Sequence, residues 1–243
     1  MIGNKYDLIC SIGGNCSAAH NLRYKNLRSF SLPFDWLYIE NAKPLEYLSE
    51  GIANNFKDFC KKENLINIPQ NEAHKDCVSY FDSYTNYYFV NHFKKNIEDT
   101  NEFEIVNKKN NRRIERLFQN LSKSKKVLFL LYLNFELNVV KELENFSSAL
   151  KKIYPNLVMD FYVIQFNCKV ESSEKHNNIC IAKYKRAMNN DDFCTTNKEW
   201  NFLNKINVFH RFFNEIKNKI IKSLISLIPI KKYRKQLRSK YNV

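Results

Sequence analysis

The chain has 243 residues, 44% of them hydrophobic and 14% aromatic, which suits one globular domain of ordinary size and excludes a disordered or low-complexity protein. Lysine and arginine exceed aspartate and glutamate by 14, and a balance so basic points to an anionic partner. Seven cysteines show no repeated CxxC spacing and follow no leader-like segment, so a reducing cytoplasmic setting is expected instead of a disulfide framework.

In chain order, Tyr6 to Ile12 is a short apolar run that reads as an interior strand, ended by a tight turn at Gly13-Gly14. From Cys16 to Lys25, alanines and Leu22 fall on one side and Arg23 and Lys25 on the other, so a helix starts directly from that turn, capped by Asn15 or Ser17. The aromatic stretch Ser29 to Leu37 contains Pro33 and reads as a loop packed on the domain. Leu45 to Phe56 reads as helix and Cys77 to Phe93 as extended structure. Phe103 to Leu121 is a helix carrying Arg112, Arg113 and Arg116 midway, and Val127 to Leu133 is a continuous apolar strand of the doubly covered kind. That apolar run is far too short for the ~20 residues of a membrane span. Val139 to Ile153 then reads as helix, Leu157 to Phe166 and Asn178 to Tyr184 as strands, and Glu199 to Ile216 as a helix rich in phenylalanine.

Alternating strands and helices predict a three-layer α/β sandwich with a mainly parallel central sheet. No linker divides residues 1–213, which are expected to form one domain. Residues 214–243 differ: nine Lys or Arg against one acidic residue give +8, leaving +6 for the rest of the chain. Apolar residues recur at helical spacing from Ile216 to Ile228, so the tail is expected to be a basic amphipathic segment suited to an anionic membrane surface.

The chemistry concentrates at the Gly-Gly turn. A helix start stabilises a thiolate through free N–H groups and the positive end of the dipole, so Cys16 is placed to be a nucleophile with a lowered pKa. Gly13 and Gly14 leave room for a substrate, and their N–H groups, with the Asn15 amide, could form an oxyanion hole. The alternative is a small packing cysteine after an ordinary turn. Five histidines compete as base. His92 follows the aromatic strand, and His20 lies four residues after Cys16, on the same helix face but one turn inside the helix, behind the nucleophile. His74 and His176 lie in polar stretches, and His210 reads as a packing or surface residue. The turn fails GxGxxG and no Walker pattern occurs, so phosphate cradling is disfavoured. Cys60, His74 and Cys77 match no zinc spacing, so no metal and no tightly bound cofactor are expected.

The stretch Ile9-Cys10-Ser11-Ile12-Gly13-Gly14-Asn15-Cys16-Ser17-Ala18-Ala19-His20-Asn21-Leu22-Arg23, followed by Leu27-Arg28 and Pro33-Phe34-Asp35-Trp36, resembles the signature of a bacterial family of papain-like cysteine peptidases of unknown function. Asn91-His92-Phe93, Arg112-Arg113-Ile114-Glu115-Arg116 and the Val127 to Leu133 strand resemble its later motifs, and the likeness spans about residues 5–213. Two departures stand out: Asn91-His92-Phe93 lacks the acidic residue of the family's H-D-F, and an arginine at the end of the apolar strand is missing. The resemblance implies Cys16 as nucleophile and His92 as general base, with Asp35 either orienting His92 or sitting in a structural plug. The chain is also similar to cysteine-dependent acetyltransferases of capsule gene clusters, which implies acyl transfer from acyl-CoA to a sugar hydroxyl. Arg112, Arg113 and Arg116 are then candidates for the phosphates of acyl-CoA or of a lipid-linked sugar, or else a solvated helix face.

The expectation is therefore a cysteine-dependent acyltransferase on the cytoplasmic face of the membrane, acting on a surface polysaccharide or its lipid-linked precursor, with a true peptidase as alternative. From another class, an inactive scaffold would bind an anionic glycolipid or a partner enzyme through the tail. Nucleic acid is not expected, because the charge gathers in the tail instead of interleaving with aromatics on a groove.

Overall fold

The computed structural model describes residues 5–28, 30–70, 74–98, 100–187, 198–208 and 225. A five-stranded central sheet runs in the order β2 (Leu8–Ser11), β6 (Lys126–Leu133), β7 (Val158–Gln165), β9 (Ile179–Lys183), β8 (Ser172–His176). The first four strands are parallel and β8 closes the edge antiparallel. The mainly parallel α/β sandwich read from the sequence is the architecture of the molecule.

Strand alternation divides the core between two faces. On one, Leu8, Cys10 and Ile12 join Val127, Phe129, Leu131 and Leu133 beneath three helices: α2 (Lys43–Ala53), α3 (Glu102–Leu121) and α4 (Val140–Ile153). On the other, Ile9, Leu128, Leu130 and Tyr132 meet α1 (Ser17–Tyr24) and a 3₁₀ stretch, Lys198–Lys205, through Ala18, Leu22, Trp200 and Leu203. β6 lies at the centre, and every residue from Val127 to Leu133 is buried, as a strand covered on both faces requires.

A second, antiparallel sheet of β3 (Leu65–Ile68), β4 (Val78–Asp82) and β5 (Tyr88–Phe93) adds its aromatic side chains Tyr80, Phe89 and Phe93 to the α3 side of the core. The short β1 (Lys5–Tyr6) pairs with β10 (Asn207–Val208). The helix expected from Glu199 is corrected here: residues 198–205 wind as 3₁₀, and Ile206 leads into β10. Trp200, Leu203 and Ile206 are all buried in the α1-side cluster, and that packing wins over α-helical spacing. The rest of that expected helix, His210, and the tail 214–243 apart from Ile225 lie outside the described residues. No helix among the described residues is long and apolar enough to cross a membrane.

Candidate active site

The carboxyl edge of a parallel sheet is where strands release their chains into loops, and catalytic groups gather there. At this edge β2 ends and the chain turns through Gly13 and Gly14, with φ of +100° and +101°. Both angles lie where an L side chain is strained. The Ile12 N–H donates to the Leu130 carbonyl at 2.9 Å, which keeps the turn on β6. Gly14 is pressed so closely on that strand that a Cβ would come within 1.8 Å of the Tyr132 carbonyl oxygen. Its own carbonyl accepts from the Ile39 N–H at 3.4 Å.

Asn15 does the capping. Its Oδ1 accepts from the Ser17 N–H at 2.8 Å, satisfying one of the free donors of the first turn. That fixes the amide oxygen toward α1, and the Gly13 N–H donates weakly to Ser11 Oγ at 3.4 Å. Cys16 follows as the first residue turned into the helix, at φ −72° and ψ −14°, with a half-buried thiol that makes no capping hydrogen bond. Burial pushes this thiol upward, and its own backbone N–H only partly offsets the rise. Burial thus acts against the lowered pKa expected from the helix start.

The other sequence-derived candidates Asp35 and His92 are both within reach of the Arg113 charge on α3. Asp35 is buried, with 1% of its side chain exposed, and its Oδ2 accepts from Arg28 Nη2 at 2.5 Å and from the Leu32 N–H at 2.7 Å. Burial raises this carboxyl, while Arg28 and, more weakly, Arg113 draw it back down. His92 is buried on β5, edge-on to Phe89 at 5.1 Å, with neither ring nitrogen hydrogen-bonded. Desolvation lowers it to about 3, helped by the charges of Arg113 and Lys109 on α3 and of His74, so it is neutral at physiological pH. Cys10, which feels the Asp35 charge, and Phe89, which packs on His92, both belong to the core cluster beneath α3. Cys16 instead opens α1, which packs on the other side. The structure therefore does not gather Cys16, His92 and Asp35 into one hydrogen-bonded array: Asp35 orders the loop after α1, and His92 sits under α3.

The three arginines of α3 also diverge. Arg112 is exposed, whereas Arg113 turns inward, where burial lowers its pKa and Asp35 supports its charge. The Arg116 Nη1 donates to the Ser31 carbonyl at 3.4 Å, and its guanidinium lies over Phe30, 5.4 Å from the ring centroid. A cavity of about 670 Å³ opens between residues 55–63 and α3, again on the face away from α1.

Two residues that sequence reasoning passed over join the segments that hold Gly14. Asn134, just beyond β6, donates through Nδ2 to Tyr38 Oη at 2.9 Å. Tyr38 forms a bridge with Tyr88 and directly precedes Ile39, whose N–H binds Gly14. The signal available for Asn134 was its position as the first polar residue after the apolar strand, where the carboxyl edge must lie.

A sequence model of the family described as putative papain-like cysteine peptidase (DUF1796) matches residues 7–171, about two thirds of the chain. The match runs from the start of β2 to the loop before β8 and contains the whole Gly-Gly turn and α1. No curated protein and no solved structure matches the chain.

Proposed function

We propose that this chain, which belongs to the putative papain-like cysteine peptidase family, is a thiol enzyme in which Cys16 accepts an acyl group. The observation that carries the reading is the placement of Cys16: it stands at the first turn of α1, on the carboxyl edge of the parallel sheet, behind two glycines held at positive φ. A thiolate there attacks the acyl carbon, and the backbone N–H groups of the turn and of Cys16 itself are the donors proposed for the oxyanion. The acyl-enzyme then passes its group to an acceptor.

Attack is shared by peptide hydrolysis and acyl transfer. We favour transfer, with acyl-CoA as co-substrate and a surface polysaccharide or its lipid-linked precursor as acceptor, because of where the charge sits. The +8 balance of residues 214–243 suits an anionic lipid surface on the cytoplasmic side, each Lys or Arg near it contributing about 1 kcal/mol, and lipid-linked sugars lie at such a surface. A peptidase and a catalytically idle scaffold are the competing outcomes.

Intact-protein and peptide mass spectrometry after incubation with acetyl-CoA tests the reading. An acetyl adduct on Cys16, absent in Cys16→Ser and discharged by a sugar acceptor, is expected. An adduct formed only with peptide esters moves the assignment to a peptidase. No adduct at all, with Cys16 no more reactive to iodoacetamide than the partly exposed Cys180, overturns it. Unchanged partition onto anionic liposomes after deleting 214–243 removes the membrane surface from the proposal.

A further inference from the structure

The face that Cys16 shares is defined by the burial of α1. Ser17, Ala18, Ala19, Asn21 and Leu22 are buried, which leaves Cys16, His20, Arg23 and Tyr24 as the stripe open to solvent. Those positions are i, i+4, i+7 and i+8, one side of a helix. The helix register between the first two is intact, with the His20 N–H donating to the Cys16 carbonyl at 2.9 Å. Helical Cα–Cβ bonds tilt toward the N-terminus, so a side chain at position 20 covers the turn that precedes it, the turn Cys16 begins. His20 therefore lies one turn along the same exposed stripe, where a change of rotamer brings its ring to the thiol.

The remaining described histidines are elsewhere. His92 lies beneath α3 on the far side of the sheet, and His74 is close enough for its charge to act on it. His176 is on β8, the edge strand opposite β2, and four strand spacings put these edges about 19 Å apart.

We infer that His20 is the proton acceptor for the Cys16 thiol, the inference resting on Cys16 being the nucleophile. In this step the Sγ–H bond breaks and an N–H bond forms on the imidazole, giving a thiolate beside an imidazolium. Sγ attacks the acyl carbon, and the imidazolium returns its proton to the departing group. No hydrogen bond joins the two side chains at rest, and such contacts commonly tighten only when substrate is bound. The thiol needs the help, since burial holds it in its protonated form. The charged and titratable groups around His20 on its own helix are Arg23, Tyr24 and Lys25. The cluster packed on the other face of α1 contributes the hydroxyls of Tyr132 and of Tyr6, which donates to Asp160 Oδ2 at 2.7 Å, with Tyr162 and Tyr184 at its margin, and the 3₁₀ stretch adds Glu199, which already accepts from Arg186 Nη2 at 2.6 Å.

The test is the rate of Cys16 alkylation by iodoacetamide between pH 5 and 9, read by peptide mass spectrometry on the full chain, with Cys180 in the same molecule as reference thiol. His20→Ala changes an exposed helix position to the best helix former, so folding is retained. At pH 7 it is expected to slow Cys16 about tenfold and to shift its profile up by about a unit, with Cys180 unchanged and added imidazole restoring part of the rate. If Cys16 outpaces Cys180 equally in wild type and His20→Ala, the assignment of His20 is overturned and the nucleophile stands. If wild-type Cys16 is no faster than Cys180 at any pH, both fall.

Discussion

Gly13 and Gly14 share one backbone angle and differ in what surrounds them, so a pair of alanine substitutions separates strain from close approach. At Gly13 a Cβ would meet Tyr87 Cε1 at 3.4 Å and backbone oxygens beyond, an ordinary contact, so Gly13→Ala carries the strain of φ near +100° alone, about 1–3 kcal/mol. At Gly14 the same strain is joined by a Cβ 1.8 Å from the Tyr132 carbonyl oxygen. That oxygen belongs to the backbone of the central strand, so no rotamer change relieves the overlap, and the turn must lift off β6 at a further cost of about 1–3 kcal/mol or more. For a domain of this size, 1 kcal/mol corresponds to roughly 2–4 °C in Tm. Gly13→Ala should therefore melt roughly 2–12 °C below wild type, and Gly14→Ala about twice as far below it or further. The assay is thermal unfolding of the full chain followed by circular dichroism, with Cys16 alkylation measured at a temperature where both variants are folded. Equal losses of Tm in the two variants would refute the close packing of the turn on β6, and with it the rigid seat argued for Cys16.

Two further outcomes concern the buried groups under α3. His92 has a folded pKa of about 3 against an ordinary value of 6.5, so between these limits the unfolded chain takes up a proton that the folded one refuses. Stability falls as pH drops below 6.5, at no more than about 1.4 kcal/mol per pH unit. In urea titrations from pH 7 to pH 4, His92→Phe should lose that dependence while the opposite contribution of Asp35 cancels between the two proteins; parallel pH curves would contradict the burial of His92. Arg28→Ala leaves the Asp35 carboxylate without its main partner, and since the pair is only 8% and 1% exposed, a loss of about 3–5 kcal/mol is expected at pH 7. The raised pKa of Asp35 makes the loss smaller toward pH 4, as the orphaned carboxyl becomes neutral, so an equal loss at both pH values would count against the pairing.

The elements legible in the sequence are those whose pattern came from burial. The run Val127–Leu133 announced a strand covered on both faces, and Ile105, Val106, Ile114, Leu117, Phe118 and Leu121 announced α3, although Ile105 proves exposed and Phe118 only half-buried. β3 and β8 escaped because they are edges: Leu65–Ile68 is exposed at its two central positions, and Ser172–His176 is polar throughout. The Gly-Gly turn, its capping asparagine and the helix that Cys16 opens were legible because positive φ and a helix start each leave a local chemical mark. The spacing of four also put His20 on the helix face of Cys16; that His92 and Asp35 make no hydrogen-bonded array with Cys16 was not legible. That depends on the parity of β2, where Leu8, Cys10 and Ile12 point to α3 and Ile9 to α1, and on the chain crossing the sheet edge between α1 and Asp35. Motif spacing along the chain carries no information about that crossing.

Two opposed effects act on the Cys16 thiol. A helix N-terminus contributes about 0.3–1 kcal/mol to a nearby anion, and 1.36 kcal/mol is one pKa unit, so the dipole alone lowers a thiol by less than about one unit. Desolvation acts on the same group with the opposite sign and is the larger cause here. At rest Cys16 is therefore a thiol, and since the thiolate is the species that oxidants and alkylating agents attack, the resting form is the protected one. Nucleophilicity then has to be conferred by proton removal, and an exposed imidazole one turn along the same stripe can do this only when it swings over the sulfur. A substrate that closes off the stripe from water would strengthen the thiolate–imidazolium attraction at the moment the acyl carbon is in place, because the same pair of charges interacts more strongly as the local dielectric falls.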